Sequence, residues 1–180
     1  FGKTGKYFAS LYMETKPDVI CLSKALTGGL LPMALTTCSQ QIYDAFYSND
    51  ISKGLFHGHT YSGNPLACTA ALASIELLQT KEIQDKIIEI SASHKDFGKH
   101  IKNHPKVKSI RQTGIIFALD LNIEMTRYGN LRDKLFEFFM SNGVFLRPLG
   151  NTIYIQAPYT ISKVQLEKIY QVIEEALDMV

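Results

Sequence analysis

Four consecutive apolar residues, Val19-Ile20-Cys21-Leu22, follow the turn pair Pro17-Asp18 and end at Ser23-Lys24, with Gly28-Gly29 close behind. The run is too short for a helix and partly β-branched, so it predicts a strand buried on both faces. A strand of that kind needs a layer on each side, which points to an α/β architecture. It also places a lysine at the strand's carboxyl end. Open α/β sheets bind ligands at that end, and an amine partly stripped of water there can react as a neutral nucleophile. A solvent-exposed lysine at a strand end is the plain alternative.

Downstream of Lys24 the pattern is that of an ordinary folded chain. Leu30 to Thr37 is a second apolar run broken by Pro32, residues 39–49 read as a surface helix, and Gly54 to Asn64 is a loop rich in Gly, His and Ser. Asn64 then suits an N-cap and Pro65 the first helical position, so a helix is expected to run to about Gln79. A second helix is expected from about Glu82 to Asn103, with Ile83, Ile87, Ile90, Phe97 and Ile101 on one face and Pro105 just beyond its end. Near Thr80 the pattern changes. Strands are expected at Val107–Ile110, Ile115–Leu121, Val144–Arg147 and Thr152–Gln156, with a helix from about Leu131 to Ser141 stopped by Asn142-Gly143. Ser162 and Gln165 form a capping box for a last helix, from Lys163 to about Met179.

Composition removes several classes of function. The 180 residues are 46% hydrophobic and 20% charged, which excludes a disordered or collagen-like chain. Net charge is +2 and no basic stretch interleaves with aromatics, so no nucleic-acid partner is expected. No apolar run approaches the ~18 residues that span a bilayer, so no membrane partner is expected either. Cys21, Cys38 and Cys68 stand in no CxxC spacing, which fits neither a disulfide framework nor a zinc ribbon and suits a reducing cytoplasm. His57 and His59 alternate as metal ligands can, but no third ligand stands at usable spacing and no metal is expected. Gly2-Lys3-Thr4 echoes the end of a phosphate-binding P-loop, which would need a helix directly after it. Phe1-Gly2-Lys3-Thr4-Gly5 reads as mid-protein sequence, so the chain is expected to be the C-terminal part of a longer polypeptide, inactive by itself.

Two stretches together carry a specific resemblance: Pro17 to Gly29, with Ser23-Lys24-Ala25-Leu26-Thr27-Gly28-Gly29 at its end, and His57-Gly58-His59-Thr60-Tyr61-Ser62-Gly63-Asn64-Pro65-Leu66-Ala67. They resemble the two strongest motifs of the class III pyridoxal-phosphate aminotransferases, the ornithine and ω-amino acid type. Phe1 to Gly5 is similar to the same family's segment just after its pyridine-nitrogen aspartate, with Lys3 where Arg is commoner. The resemblance implies a fold-type-I pyridoxal-phosphate transferase. Residues 1–79 would be the C-terminal part of the large α/β domain with its connecting helix, and residues 80–180 a small α+β C-terminal domain.

It implies pyridoxal 5'-phosphate as cofactor and Lys24 as the catalytic lysine, which carries the cofactor covalently and then moves the substrate proton as general base and acid. Thr60 would hydrogen-bond the cofactor phosphate across a homodimer interface, with His59 beside the cofactor and Gly58 beside the substrate. His59 stands where some members have Pro.

Gly143 to Tyr159 is similar to the C-terminal motif of those members that work in biotin synthesis, although Ala157 replaces a frequent second Pro. That likeness implies S-adenosylmethionine as amino donor and 8-amino-7-oxononanoate as acceptor, with Arg147 gripping the acceptor carboxylate through its planar fork. Tyr154 is a candidate for the same pocket, with a core tyrosine as the plain alternative. Other substrates of the class, ornithine, γ-aminobutyrate or a diamine, are the nearest rivals. A P-loop nucleotide hydrolase and a non-catalytic interaction domain are more distant ones.

Overall fold

The computed structural model describes residues 1–124 and 129–180. They divide into two compact units, one of Phe1 with Phe8–Thr80, the other of Gly2–Tyr7 with Lys81–Val180. No helix among the described residues is long and apolar enough to cross a membrane.

The first unit begins its regular structure with β1 (Val19–Ser23), which pairs antiparallel with β2 (Ala34–Cys38) so that Val19 faces Cys38 and Ser23 faces Ala34. Burial alternates along β1 between exposed and intermediate, so it is not the strand buried on both faces that its apolar run predicts. Within this chain β1 sits in a two-stranded ribbon, where β2 is its one ladder neighbour among the described residues. Between the strands lies a 3-10 turn, Lys24–Thr27, and it packs against a later helix. After α1 (Gln40–Phe46) and the loop comes that helix, α2 (Pro65–Gln79). Asn64 caps it as expected, with Oδ1 accepting from the Leu66 and Ala67 amides at 3.0 and 3.2 Å. Ala67 and Ala71 are buried on α2, and side chains this small let the turn and the helix approach closely.

In the second unit, α3 (Lys81–Ile101) leads into a meander of β3 (Val107–Thr113), β4 (Ile116–Leu121) and, after α4 (Asn130–Ser141), β5 (Thr152–Ile155), with α5 (Lys163–Asp178) last. The sheet is antiparallel in the order β3-β4-β5. Burial on β4 alternates strictly, which sends Phe117, Leu119 and Leu121 into a core shared with Phe97 and Ile101 of α3, Leu135 and Phe139 of α4, and Ile173 and Leu177 of α5. Each such side chain contributes roughly 1.5–3 kcal/mol by leaving water. The Ser162–Gln165 capping box at the head of α5 is present in full.

The expected strand at Val144–Arg147 does not form. Burial alternates there as in a strand, but the amides are used elsewhere: Val144 donates to Phe139 O at the end of α4, and Leu146 donates back to Val144 O. The P-loop alternative also loses its helix. Gly2-Lys3-Thr4-Gly5 is a tight turn closed by the Gly5 amide on Gly2 O at 2.9 Å, and a single 3-10 turn, Ala9–Tyr12, follows.

Candidate active site

Lys24 is the first residue past β1 and the only non-glycine residue with positive φ among those described, at +52°. For an L-residue the left-handed region costs roughly 1–2 kcal/mol, and such backbone persists only where its surroundings over-determine it. Here Ser23 is held by its pairing with Ala34 on one side, and the turn is closed on the other by the Gly28 amide on Ala25 O at 3.1 Å. Leu26, 2% exposed, anchors the turn. Gly28 and Gly29 follow with φ of +63° and +87°, values glycine reaches without strain.

Lys24 lines a cavity of about 1290 Å³ together with Gly28, Gly29, Met33, His59 and Ser62. That exceeds the roughly 300–1,000 Å³ typical of small-molecule pockets, so the space is ample for a small-molecule ligand. His59 is pinned from the loop: its Nδ1 accepts the Tyr61 amide at 3.1 Å, which leaves the proton of the neutral ring on Nε2. Gly58 and Thr60 flank His59 in sequence without lining the cavity, and both are exposed.

The head of α2 also borders the cavity, through Asn64, Leu66 and Ala67. A helix N-terminus is a ready anion site, but this one is closed. Pro65 has no amide hydrogen, Leu66 and Ala67 donate to Asn64 Oδ1, and Cys68 donates to Asn64 O at 3.0 Å. The head of α2 therefore offers an anion in this cavity no free amide.

Arg147 and Tyr154 lie in the second unit. Arg147 is exposed between buried Leu146 and Pro148, and no ion pair engages it among the described residues. Tyr154, 41% exposed, faces away from the core, opposite Ala118 of β4, so it is not the core tyrosine that was the plain alternative. Its face of the sheet carries a polar network. Asp120 accepts from Ser109 Oγ at 2.7 Å, from Thr152 Oγ1 at 2.7 Å and from both terminal nitrogens of Arg111. The Arg111 bond, followed by those from the hydroxyls, holds the Asp120 carboxyl well below the usual carboxylate range despite desolvation.

Two buried polar side chains escaped the sequence reading. Thr27 is 1% exposed and its hydroxyl donates to Leu31 O at 2.6 Å. His94 is 0% exposed, with Nε2 3.1 Å from Ile115 O and Nδ1 2.7 Å from Tyr170 Oη. Its place between Ile90 and Phe97 on the apolar stripe of α3 was a usable signal, because a polar residue on such a stripe must find partners.

A strand-end lysine, a glycine bend and a hydroxyl-bearing loop thus line one pocket in a chain of mixed helix and sheet. Residues 1–177 match the aminotransferase class-III family, and the chain belongs to it. Among curated relatives, the adenosylmethionine-8-amino-7-oxononanoate aminotransferase of Synechococcus elongatus is 40% identical over 179 residues, covering 99% of this chain and 42% of the relative. The enzyme of that name from Methanocaldococcus jannaschii is 35% identical over 192 residues, covering 98% and 41%. The crystal structure of the latter superposes with a TM-score of 0.86 at 30% identity, over 100% of this chain and 44% of that one. An amine transaminase from an uncultivated Pseudomonas species, in its PLP-bound form, gives 0.85 at 26% identity, over 99% and 42%. The chain has the fold of these transaminases and spans 40–42% of the length of such curated relatives.

Proposed function

We propose that this chain carries the lysine-bearing part of a pyridoxal-phosphate transaminase that moves the amino group of S-adenosylmethionine to 8-amino-7-oxononanoate, giving 7,8-diaminononanoate for biotin synthesis. The observation that carries the reaction class is Lys24, an amine at the end of a strand, set by a left-handed backbone into a glycine-walled cavity. The names of relatives 33–40% identical to this chain support the substrates. The residues present fit the cofactor: a primary amine for its aldehyde, and hydroxyls at Thr60 and Ser62 for its phosphate.

When bound, pyridoxal phosphate supplies an electron sink for the charge left on the substrate carbon as its proton departs. Lys24 Nζ would hold the cofactor through its aldehyde. Its free amine would then take the proton from the donor's carbon at Nζ and give it back as ammonium. With the head of α2 closed, the contacts that this chain would offer the phosphate are Thr60 and the loop. In this reading the enzyme is a homodimer, and Thr60 serves the cofactor bound by the other subunit. His59, its Nδ1 occupied by the Tyr61 amide, offers Nε2–H beside the cofactor, and Gly58 leaves room for the substrate. Arg147 takes the acceptor carboxylate in its fork, with Tyr154 beside it. Three free thiols suit a cytoplasmic setting.

Borohydride reduction of the complete protein loaded with pyridoxal phosphate, followed by peptide mapping, should label Lys24. A label on another lysine, with Lys24→Ala still active, would sink the proposal. Single-turnover absorbance that ran faster with ornithine than with S-adenosylmethionine would move the donor to another member of the class.

A further inference from the structure

We propose that Thr27 is a positioning residue for Lys24: its buried hydroxyl staples the loop after the lysine and so preserves the left-handed turn at which Lys24 leaves β1. The proposal rests on the reading of Lys24 as the cofactor lysine.

The backbone from Lys24 to Leu31 contains three residues at positive φ, Lys24, Gly28 and Gly29. Two of them are glycines, which lose more freedom on ordering than any other residue, so this segment has a strong entropic reason to loosen. Lys24 has its own reason, since relaxation to an ordinary φ would relieve its strain and swing the amine away from its present line. Upstream, the Ser23–Ala34 pairing prevents this. Downstream, the constraint converges on Thr27. Its hydroxyl donates to Leu31 O at 2.6 Å, and its carbonyl accepts the Leu30 amide at 3.2 Å. One residue thereby closes the glycine bend from both its side chain and its backbone. Ser74 of α2 adds a longer bond, 3.3 Å from Oγ to Ala25 O.

Burial makes the staple effective. Thr27 and His94 are the only polar side chains buried this deeply among the described residues. The Thr27 end of the bond is buried and its acceptor residue Leu31 is exposed, so the hydroxyl itself has little access to water as a substitute for Leu31 O. Threonine's branched Cβ also restricts the side chain to few rotamers.

The test compares Thr27→Ala, Thr27→Val and Thr27→Ser in the complete protein. Alanine and serine differ only by the hydroxyl, and valine keeps the volume without it. In the cofactor-free protein, Thr27→Ala and Thr27→Val should raise hydrogen exchange over residues 25–31 at least about tenfold. They should also shift the pH profile for acetylation of Lys24 by acetic anhydride, read by mass spectrometry. In the loaded enzyme they should lower kcat about tenfold with little change in KM for the acceptor, as expected of a displaced reacting group. Thr27→Ser should restore all three. The proposal is overturned if Thr27→Ser is as impaired as Thr27→Ala, or if thermal stability falls while exchange and the lysine profile stay at wild-type values. Failure of both hydroxyl-free variants to fold, with Thr27→Ser folded, makes the hydroxyl a folding requirement and equally overturns it. Borohydride labelling away from Lys24 would remove the underlying reading, whereas the cofactor-free exchange comparison judges the staple by itself.

Discussion

Acid should destabilise the second unit through one side chain, His94. Its imidazole is fully buried, stacks on Phe117 with ring centroids 5.5 Å apart, and has both nitrogens engaged. Ile115 O can only accept, so Nε2 carries the proton and Nδ1 accepts from the Tyr170 hydroxyl. That neutral form is satisfied, and burial opposes a second proton strongly enough to push the group down from 6.5 to about 4 in spite of the Ile115 bond. The unfolded chain takes up this proton below pH 6.5 and the native one does not, so each step of acidification in that window favours unfolding. The contribution of neutral His94 is complete above pH 6.5, falls as pH drops toward 4, and changes no further below. At 1.36 kcal/mol for each unit of displacement, the loss amounts to about 3 kcal/mol. Urea denaturation of the cofactor-free complete protein at intervals from pH 7.5 to 4.5 measures it. His94→Gln should be less stable at neutral pH, because Gln cannot satisfy both partners, yet its curve should lie flatter, so that the two approach each other in acid. Parallel curves across that range would refute the assignment of the titration to His94.

Gly114→Ala places a methyl at φ +56° where the backbone of Lys3, Thr4 and Gly5 already lies. It should cost on the order of 2–3 kcal/mol and speed exchange of the Ile115 amide, which donates to Lys3 O; an unchanged Tm would count against that docking. Asp120→Asn should lower the urea midpoint at neutral pH by weakening the bonds from Ser109, Thr152 and Arg111, and the gap to wild type should begin to narrow as pH falls below 3.8, where the unfolded aspartate takes up a proton that the native one still resists. A gap that did not narrow at all between pH 5 and pH 2 would show that the carboxylate charge is not what matters. Arg147→Ala should weaken acceptor binding by about 2–4 kcal/mol in single-turnover measurements, with Arg147→Lys recovering only part. Unchanged acceptor kinetics would reassign the carboxylate contact.

What could be read in advance was whatever the chain encodes locally. Asn64-Pro65 and the Ser162–Gln165 pair announce their helices because a cap is a contact between residues two or three positions apart. The alternation in residues 116–121 announces β4 because one face of its sheet is buried. Val144–Arg147 has the pattern of a strand, yet whether a strand forms depends on a neighbour taking its amides, and here the end of α4 took one first. The docking of Gly2–Tyr7 on the second unit depends on Lys3 meeting Ile115, more than a hundred residues away, and no local signal marks it. The motif at Lys24 was visible, but its left-handed backbone was not, since nothing in a lysine's composition favours positive φ.

The two buried polar side chains do the same kind of work in the two units. Thr27 binds the carbonyl of Leu31, just past the Gly28-Gly29 bend, and His94 binds the carbonyl of Ile115, just past Gly114. In both places glycine supplies a left-handed backbone that other residues reach only under strain. That same freedom leaves the turn poorly determined by its own sequence. A hydrogen bond from a side chain buried beside it restores the determination, and burial makes the bond hard to exchange for water. An apolar residue of similar shape would pack as well at either position but would leave the carbonyl unclaimed and the bend free to drift. In the first unit the bend so held lies directly behind Lys24, and in the second it carries the Ile115 amide that binds Lys3. Among the described residues, both buried polar side chains therefore stand where a glycine turn has to be kept in one conformation.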